Sequence, residues 1–184
     1  MSTRNTTPGV PAPGMALRLG PTIDERRGIE YHELRTESPI GKLNARPMPF
    51  GWTVNPYRGC EMGCHYCFAR YTHEFLGPAD PDAFERTIYV KQVDRSRLVR
   101  ELRKARKSGQ TVALGTATDP YQPAEGRFEV TRRILEAAGE VPGLRLSITT
   151  KSSLVTRDAE LLCAIAGVSE VTVNLSITTA DAAL

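Results

Sequence analysis

Three of the chain's four cysteines fall within eight positions of "NPYRGCEMGCHYCFAR" at residues 55–70, where Cys60, Cys64 and Cys67 follow a C-x3-C-x2-C spacing. Thiolates are soft ligands suited to zinc and to iron–sulfur clusters. Four of them would complete a structural zinc site or a closed cluster. Three leave one metal position to something other than a cysteine, and on a cubane that is an iron open to a small molecule. Gly59 and Gly63 each directly precede a cysteine, which lets the loop wrap tightly and bring backbone N–H groups to the sulfurs. The alternative donor set is a zinc ion held by the three cysteines with His65 or His73. His65 sits between ligands in a tight loop, where it and its neighbours cannot readily turn toward one ion. Cys163 lies among Leu161, Leu162 and Ile165 in a helical pattern and reads as a buried, inert thiol.

The elements that would position this loop alternate in type. "FGWTVNP" reads as a strand feeding the cysteines. "CHYCFARYTHEFLG" spaces Phe68, Tyr71 and Phe75 helically until Gly77-Pro78, and "RTIYVKQV" reads as a strand. "DRSRLVRELRKARKSG" is the clearest helix, with Asp94 as cap, Leu98, Val99, Leu102 and Ala105 as apolar stripe, and Gly109 as stop. "TVALGTA", "LRLSITTK" and "VTVNLSITT" read as strands separated by the helices "EVTRRILEAAGE" and "TRDAELLCAIAG". Strands alternating with helices imply parallel βα units. Residues 1–46 carry five prolines and no sustained periodicity; they read as a flexible arm with one short ordered piece near Ile29 to Leu34, and 47–184 as the folded part.

Two strands are split by face. Leu144, Leu146 and Ile148 oppose Arg145, Ser147, Thr149 and Lys151; Val171, Val173, Leu175 and Ile177 oppose Thr172, Asn174, Ser176 and Thr178. One face suits a covering helix. The other is small and polar, as around a ligand cavity.

Composition narrows the class. The chain has 184 residues and a formal net charge of +3, enough for one domain and too mild a charge to imply nucleic-acid binding alone. The basic residues of the Asp94-capped helix read first as a solvated face and otherwise as a phosphate-contact surface. No apolar run is long enough to span a bilayer, and the N-terminus lacks the apolar core of a secretory signal. A cytoplasmic, reducing location follows, in which clustered cysteines point to metal or redox chemistry.

The cysteine spacing, with Tyr66 just before the last cysteine, resembles the signature of the radical S-adenosylmethionine (SAM) superfamily. "NPYRGCEMGCHYCFAR", "GTATDPYQPAE" and "SITTKSSLV" together resemble its spore photoproduct lyase-like branch. The resemblance implies a [4Fe–4S] cluster on Cys60, Cys64 and Cys67, with S-adenosyl-L-methionine on the fourth iron. Reductive cleavage would give a 5′-deoxyadenosyl radical that takes hydrogen from an unknown substrate, with a flavodoxin or ferredoxin as electron donor. It places Tyr66 beside the adenine, Gly115, Thr116 and Ala117 at the methionine amino group, Lys151 at its carboxylate, and Asn174 or Ser176 at the ribose or carboxylate. Asp119, before Pro120, reads equally as a turn former and as a site residue. No residue is assigned to the hydrogen transfer itself. Lyases of that branch carry hydrogen-donating residues where this chain has Phe68 and Gly115, which argues against thymine-dimer reversal. The implied fold class is α/β, a partial (βα) barrel. From Cys60 onward the chain accommodates roughly three or four βα units, about the first half to two-thirds of such a barrel. The sequence therefore reads as a piece of a larger enzyme, and its rival reading is a non-catalytic remnant or a zinc- or cluster-binding module.

Overall fold

The computed structural model describes residues 18–36, 38–43, 48–76 and 82–181, with the side chains of 18–19 and 73–76 left aside. The chain builds two sheets on one apolar core. The first is ordered β3-β4-β7-β8-β9, from β3 (Gly41–Lys42), β4 (Trp52–Val54), β7 (Val112–Leu114), β8 (Arg145–Thr150) and β9 (Glu170–Leu175). Strands β4, β7, β8 and β9 run parallel, while β3 pairs antiparallel at the edge. The second sheet is ordered β1-β2-β6-β5, from β1 (Arg18–Arg26), β2 (Ile29–Arg35), β5 (Tyr57–Arg58) and β6 (Thr87–Gln92).

Helix α2 (Arg95–Lys107) follows β6, and α4 (Val130–Gly139) and α5 (Ala159–Ala166) connect β7 to β8 and β8 to β9. The Asp94 side chain accepts the Arg97 N–H at 2.6 Å, and Leu98, Val99, Leu102 and Ala105 are buried as their spacing demands. With Ile134 and Leu135 of α4 and Leu162 and Ile165 of α5 they join Leu146 and Ile148 of β8 in the core. Burying one such aliphatic side chain contributes about 1.5–3 kcal/mol. These contacts fix helices to one face of the parallel strands and leave Ser147 half-buried and Thr149 exposed on the other.

Two short helices complete the frame. α1 (Ala83–Arg86) leads directly into β6, and α3 (Glu125–Phe128) precedes α4. α1 buries Phe84, and its Phe84 carbonyl accepts the Cys60 N–H at 2.8 Å.

Three expectations need correction. The ordered piece expected near Ile29 to Leu34 is β2, but the stretch read as a flexible arm also holds β1 and β3 between Arg18 and Lys42; residues 1–17, 37 and 44–47 lie outside the described residues. Pro21 and Gly20 hid β1, and the register shifts between Leu19, Thr22 and Asp24 absorb the missing proline N–H. Strand β6 was expected in the same parallel series, but it pairs with β2 and β5, while β4 pairs directly with β7. Cys163 is exposed: on α5 the buried positions are Leu162 and Ile165, and a residue one step from Leu162 turns about 100° away.

Strand β9 stands at the end of its sheet, with Leu175 and Ile177 exposed. Among the described residues no helix is long and apolar enough to cross a membrane.

Candidate metal and cofactor site

Between β4 and β5 the chain leaves one sheet for the other at Asn55-Pro56, and the cysteine loop starts immediately after. Gly59 and Gly63 have φ of +85° and +60°, the left-handed region in which a side chain is strained. The sequence therefore turns sharply before each of the first two cysteines. Cys60 is buried, and Cys64 and Cys67 are half-buried. The Cys67 N–H donates to the Cys64 carbonyl at 3.0 Å. Arg70 donates to that same carbonyl at 3.3 Å and pairs with Glu85 of α1. Cys60, Ala69 and Phe84 form a small apolar cluster, with Met62, Cys67 and Ala117 packed on it.

The "TDPYQPAE" loop after β7 forms the inner wall. Thr118 donates its hydroxyl to the Gly59 carbonyl at 2.7 Å, and the Asp119 N–H donates to the Cys60 sulfur at 3.4 Å. The Glu61 carboxylate accepts the Ala124 N–H at 2.7 Å and the Tyr31 hydroxyl at 3.0 Å. Burial raises the Glu61 carboxyl above its ordinary range, although both of those donors favour its charged form. Tyr31 lies on β2, where it meets the Phe128 ring at 5.2 Å, and Arg127 pairs with Asp24 of β1. The N-terminal hairpin thus braces the cysteine loop from outside.

Asp119 is more than a turn former. Its carboxylate accepts the Thr150 hydroxyl at 2.6 Å, the Lys151 N–H at 2.8 Å and the Tyr121 N–H at 2.8 Å. It ties the end of β8 to the loop that touches Cys60. Lys151 then reaches over the cysteine loop: its Nζ is 3.3 Å from the Cys64 sulfur, donates to the Tyr66 hydroxyl and lies 4.5 Å from the Tyr66 ring centre. The hydrogen bond to Tyr66 raises the Lys151 pKa, and the Cys64 sulfur adds to it. The exposed Tyr66 ring leaves a flat surface beside that cation.

The remaining sequence candidates divide. Thr116 lies 2.5 Å from Thr53 through their hydroxyls, and the Ala117 N–H donates to Asn55 Oδ1 at 2.9 Å. Gly115 has φ of +88° at the end of β7, where its N–H donates to the Val54 carbonyl at 3.1 Å. Asn174 donates to Ser147 Oγ at 3.1 Å and to the Ile148 carbonyl at 3.2 Å; Ser176 bonds through its N–H to the Thr150 carbonyl at 2.9 Å. Tyr66, Lys151 and the cysteines are thus in one place. Gly115, Thr116 and Ala117 line the adjoining strand end, and Asn174 and Ser176 stand on the outer strand and its exit. Sequence reasoning missed Asn55, Glu61 and Gln122. Gln122 had a usable signal, since it stands in a run that otherwise reads as turn residues.

The donor set fits an iron–sulfur cluster. Burial pushes the Cys60 thiol up to about 11, and a thiol so placed becomes a thiolate when a metal coordinates it. Among the described residues no three His, Cys, Asp or Glu side chains converge on one metal-ion position. A cubane puts each thiolate on a different iron, so its ligands share a loop without meeting at a point. His65 is exposed, and the side chain of His73 lies outside the described residues.

Known proteins similar to this chain come from bacteria, archaea and a virus. Uncharacterized protein Rv2578c of Mycobacterium tuberculosis is 43% identical over 155 residues, which is 84% of this chain and 45% of that protein. Uncharacterized protein MJ0683 of Methanocaldococcus jannaschii is 29% identical over 134 residues, covering 72% of this chain and 47% of its own length. Uncharacterized protein ORF301 of Acidianus two-tailed virus is 29% identical over 116 residues, 61% of this chain and 38% of that protein. The chain therefore spans about half the length or less of these relatives. No solved structure matches. The Radical SAM superfamily description matches residues 54–183, from the end of β4 through β9. The chain belongs to the radical SAM superfamily.

Proposed function

We propose that the protein is a radical SAM enzyme in which Cys60, Cys64 and Cys67 hold a [4Fe–4S] cluster and the adjoining polar face holds S-adenosylmethionine. Together these cofactors would supply one-electron cleavage of the sulfonium and a 5′-deoxyadenosyl radical that takes a hydrogen atom from substrate. The observation that carries the reading is Lys151, a cation held at 3.3 Å from a cysteine sulfur by a strand end that Asp119 fixes. An amino-acid cofactor chelated beside Cys64 needs such a charge for its carboxylate. The exposed Tyr66 ring offers the adenine a stacking surface. The ammonium end needs acceptors, and the Thr116 hydroxyl and Asn55 Oδ1 stand at the end of β7 to provide them. Asn174 and Ser176 suit the ribose. The apolar cluster of Ala69, Phe84 and Met62 keeps water from the sulfurs.

In this reading the four parallel strands are part of a (βα) barrel, in the spore photoproduct lyase-like branch. The substrate is not assigned. Phe68 and Gly115, at the branch's hydrogen-donor positions, have no readily donated hydrogen, so a reaction other than thymine-dimer reversal is favoured. A flavodoxin or ferredoxin would supply the electron. Arg97, Arg100, Arg103 and Lys107 share the exposed side of α2 and make a nucleic acid the second partner class, recognisable by salt-dependent binding.

Lys151→Met separates cofactor binding from cluster assembly. Losing a charge-assisted hydrogen bond of about 1.5–3 kcal/mol should raise the KM for S-adenosylmethionine roughly tenfold or more. Iron content should not change. The measurement is 5′-deoxyadenosine formed under dithionite at varied S-adenosylmethionine. An unaltered KM would remove Lys151 from the cofactor site.

A further inference from the structure

We propose that Gln122 is the positioning residue for Cys60, setting the reduction potential of the cluster through the loop it holds. This rests on the proposed cluster at Cys60, Cys64 and Cys67, and it concerns a residue outside that site's own ligands.

Gln122 is 0% exposed. Its Nε2 donates to the Gly59 carbonyl at 3.2 Å and to Thr118 Oγ1 at 2.8 Å, and its Oε1 accepts the Glu61 N–H at 2.9 Å. The two backbone groups are those on either side of Cys60. A primary amide presents a donor and an acceptor in one rigid plane; glutamate cannot donate, lysine and arginine cannot accept, and leucine does neither. Burying an amide costs about 1–3 kcal/mol unless its hydrogen bonds are made. Here both of its polar atoms are engaged.

The consequence reaches the sulfur. With residues 59 and 61 fixed, Cys60 is also held by its own N–H on the Phe84 carbonyl, and its Sγ accepts the Asp119 N–H. A hydrogen bond to a cluster sulfur favours the reduced, more negative state and raises the potential. Asp119 and Gln122 belong to the same loop, linked by the Gln122 N–H on the Asp119 carbonyl at 3.3 Å. Freeing the loop from residues 59 and 61 would lengthen the N–H to sulfur contact. The potential would fall, and Cys60 would release iron more readily.

The test compares wild type with Gln122→Met, which preserves length without a donor or acceptor of comparable strength, and with Thr118→Val, which removes the hydroxyl that donates to Gly59 and accepts from Gln122 but leaves the Gln122 bonds to Gly59 and Glu61 in place. Each full chain is reconstituted without oxygen. Iron and sulfide per chain, the midpoint potential without S-adenosylmethionine, and the rate of iron loss to a chelator are measured. Gln122→Met should assemble a cluster of more negative potential and lose iron roughly tenfold faster; Thr118→Val should move both quantities the same way by less. A Gln122→Met protein with wild-type potential and iron loss overturns the proposal, even if its melting temperature falls. Should Gln122→Met fail to fold, an unchanged potential in Thr118→Val overturns it alone. If wild type itself takes up no cluster, the functional reading falls and this one with it. If wild type is loaded and the variants match it, only the role of Gln122 falls.

Discussion

Replacing Glu125 by alanine should cost about 3–5 kcal/mol of stability, the penalty for removing one partner from a buried charge cluster. The Glu125 side chain is fully buried at the start of α3. It accepts the Tyr57 hydroxyl at 2.5 Å, the Thr131 N–H at 2.8 Å and the Arg132 N–H at 3.1 Å, and pairs with Arg157 at 2.7 Å. Truncation strands all four groups. Tyr57 opens β5, the strand that leads into the cysteine loop, and burial first, then the Glu125 charge, holds its hydroxyl protonated. Glu125→Gln keeps the shape and one acceptor and should cost less, about 1–3 kcal/mol. In a chain of this size each kcal/mol moves Tm by roughly 2–4 °C, so the alanine variant should melt on the order of 10 °C lower. Melting curves at matched iron content decide it. A shift indistinguishable from that of a surface substitution would show that the cluster is not a keystone of the fold.

The same cluster sets an acid limit. Burial raises the Asp158 carboxyl, but the guanidiniums of Arg157 and Arg132 outweigh it and hold the group below the ordinary carboxylate range. A depressed folded-state pKa means its contribution is intact above about pH 4 and lost as pH falls further.

Gly115→Ala should damage stability and both cofactor functions at once. The added Cβ would lie 2.4 Å from Pro120 Cδ, 2.9 Å from its Cγ and 3.0 Å from the Thr149 carbonyl, at φ of +88°. Left-handed strain alone costs about 1–3 kcal/mol. The clash adds to it, because a proline ring and a strand carbonyl cannot swing aside. Pro120 follows Asp119, whose N–H meets the Cys60 sulfur and whose carboxylate fixes Lys151. Iron retention and affinity for S-adenosylmethionine should therefore fall together, unlike the single loss expected of Lys151→Met. Gly109→Ala is the control, since its φ is +68° but nothing lies within 4 Å of the added carbon. It should cost only the strain, about 1–3 kcal/mol. Equal effects at 109 and 115 would mean that the contact with Pro120 does not matter.

Much of the scaffold was legible because its signals are local. Asp94, the 98/99/102/105 stripe and Gly109 mark α2 without any tertiary knowledge. The cysteine spacing and its glycines likewise declare the loop. What escaped depends on partners far along the chain. Glu125 looks like an ordinary helix-start carboxylate until Tyr57 and Arg157 close over it. Gln122 stands out in a run of turn residues, but its role is legible only once it meets Gly59 and Glu61. Strand β6 carries a strand pattern, but nothing in "RTIYVKQV" tells it to pair with β2, which read only as an isolated ordered piece in a proline-bearing stretch. Asp119 was visible as a candidate, yet its service to Cys60 and Lys151 at once appears only when β7 and β8 lie side by side.

In the proposed site Cys60, Cys64 and Cys67 hold a cluster whose remaining iron accepts S-adenosylmethionine. Electron paramagnetic resonance of the reconstituted, dithionite-reduced chain, recorded with and without S-adenosylmethionine, tests it most directly. The chain should carry about four irons and four sulfides and give a reduced-cluster signal that changes on addition of the cofactor, lost altogether in Cys60→Ala. A single bound zinc without chromophore, or a cluster whose signal is indifferent to S-adenosylmethionine, would contradict it.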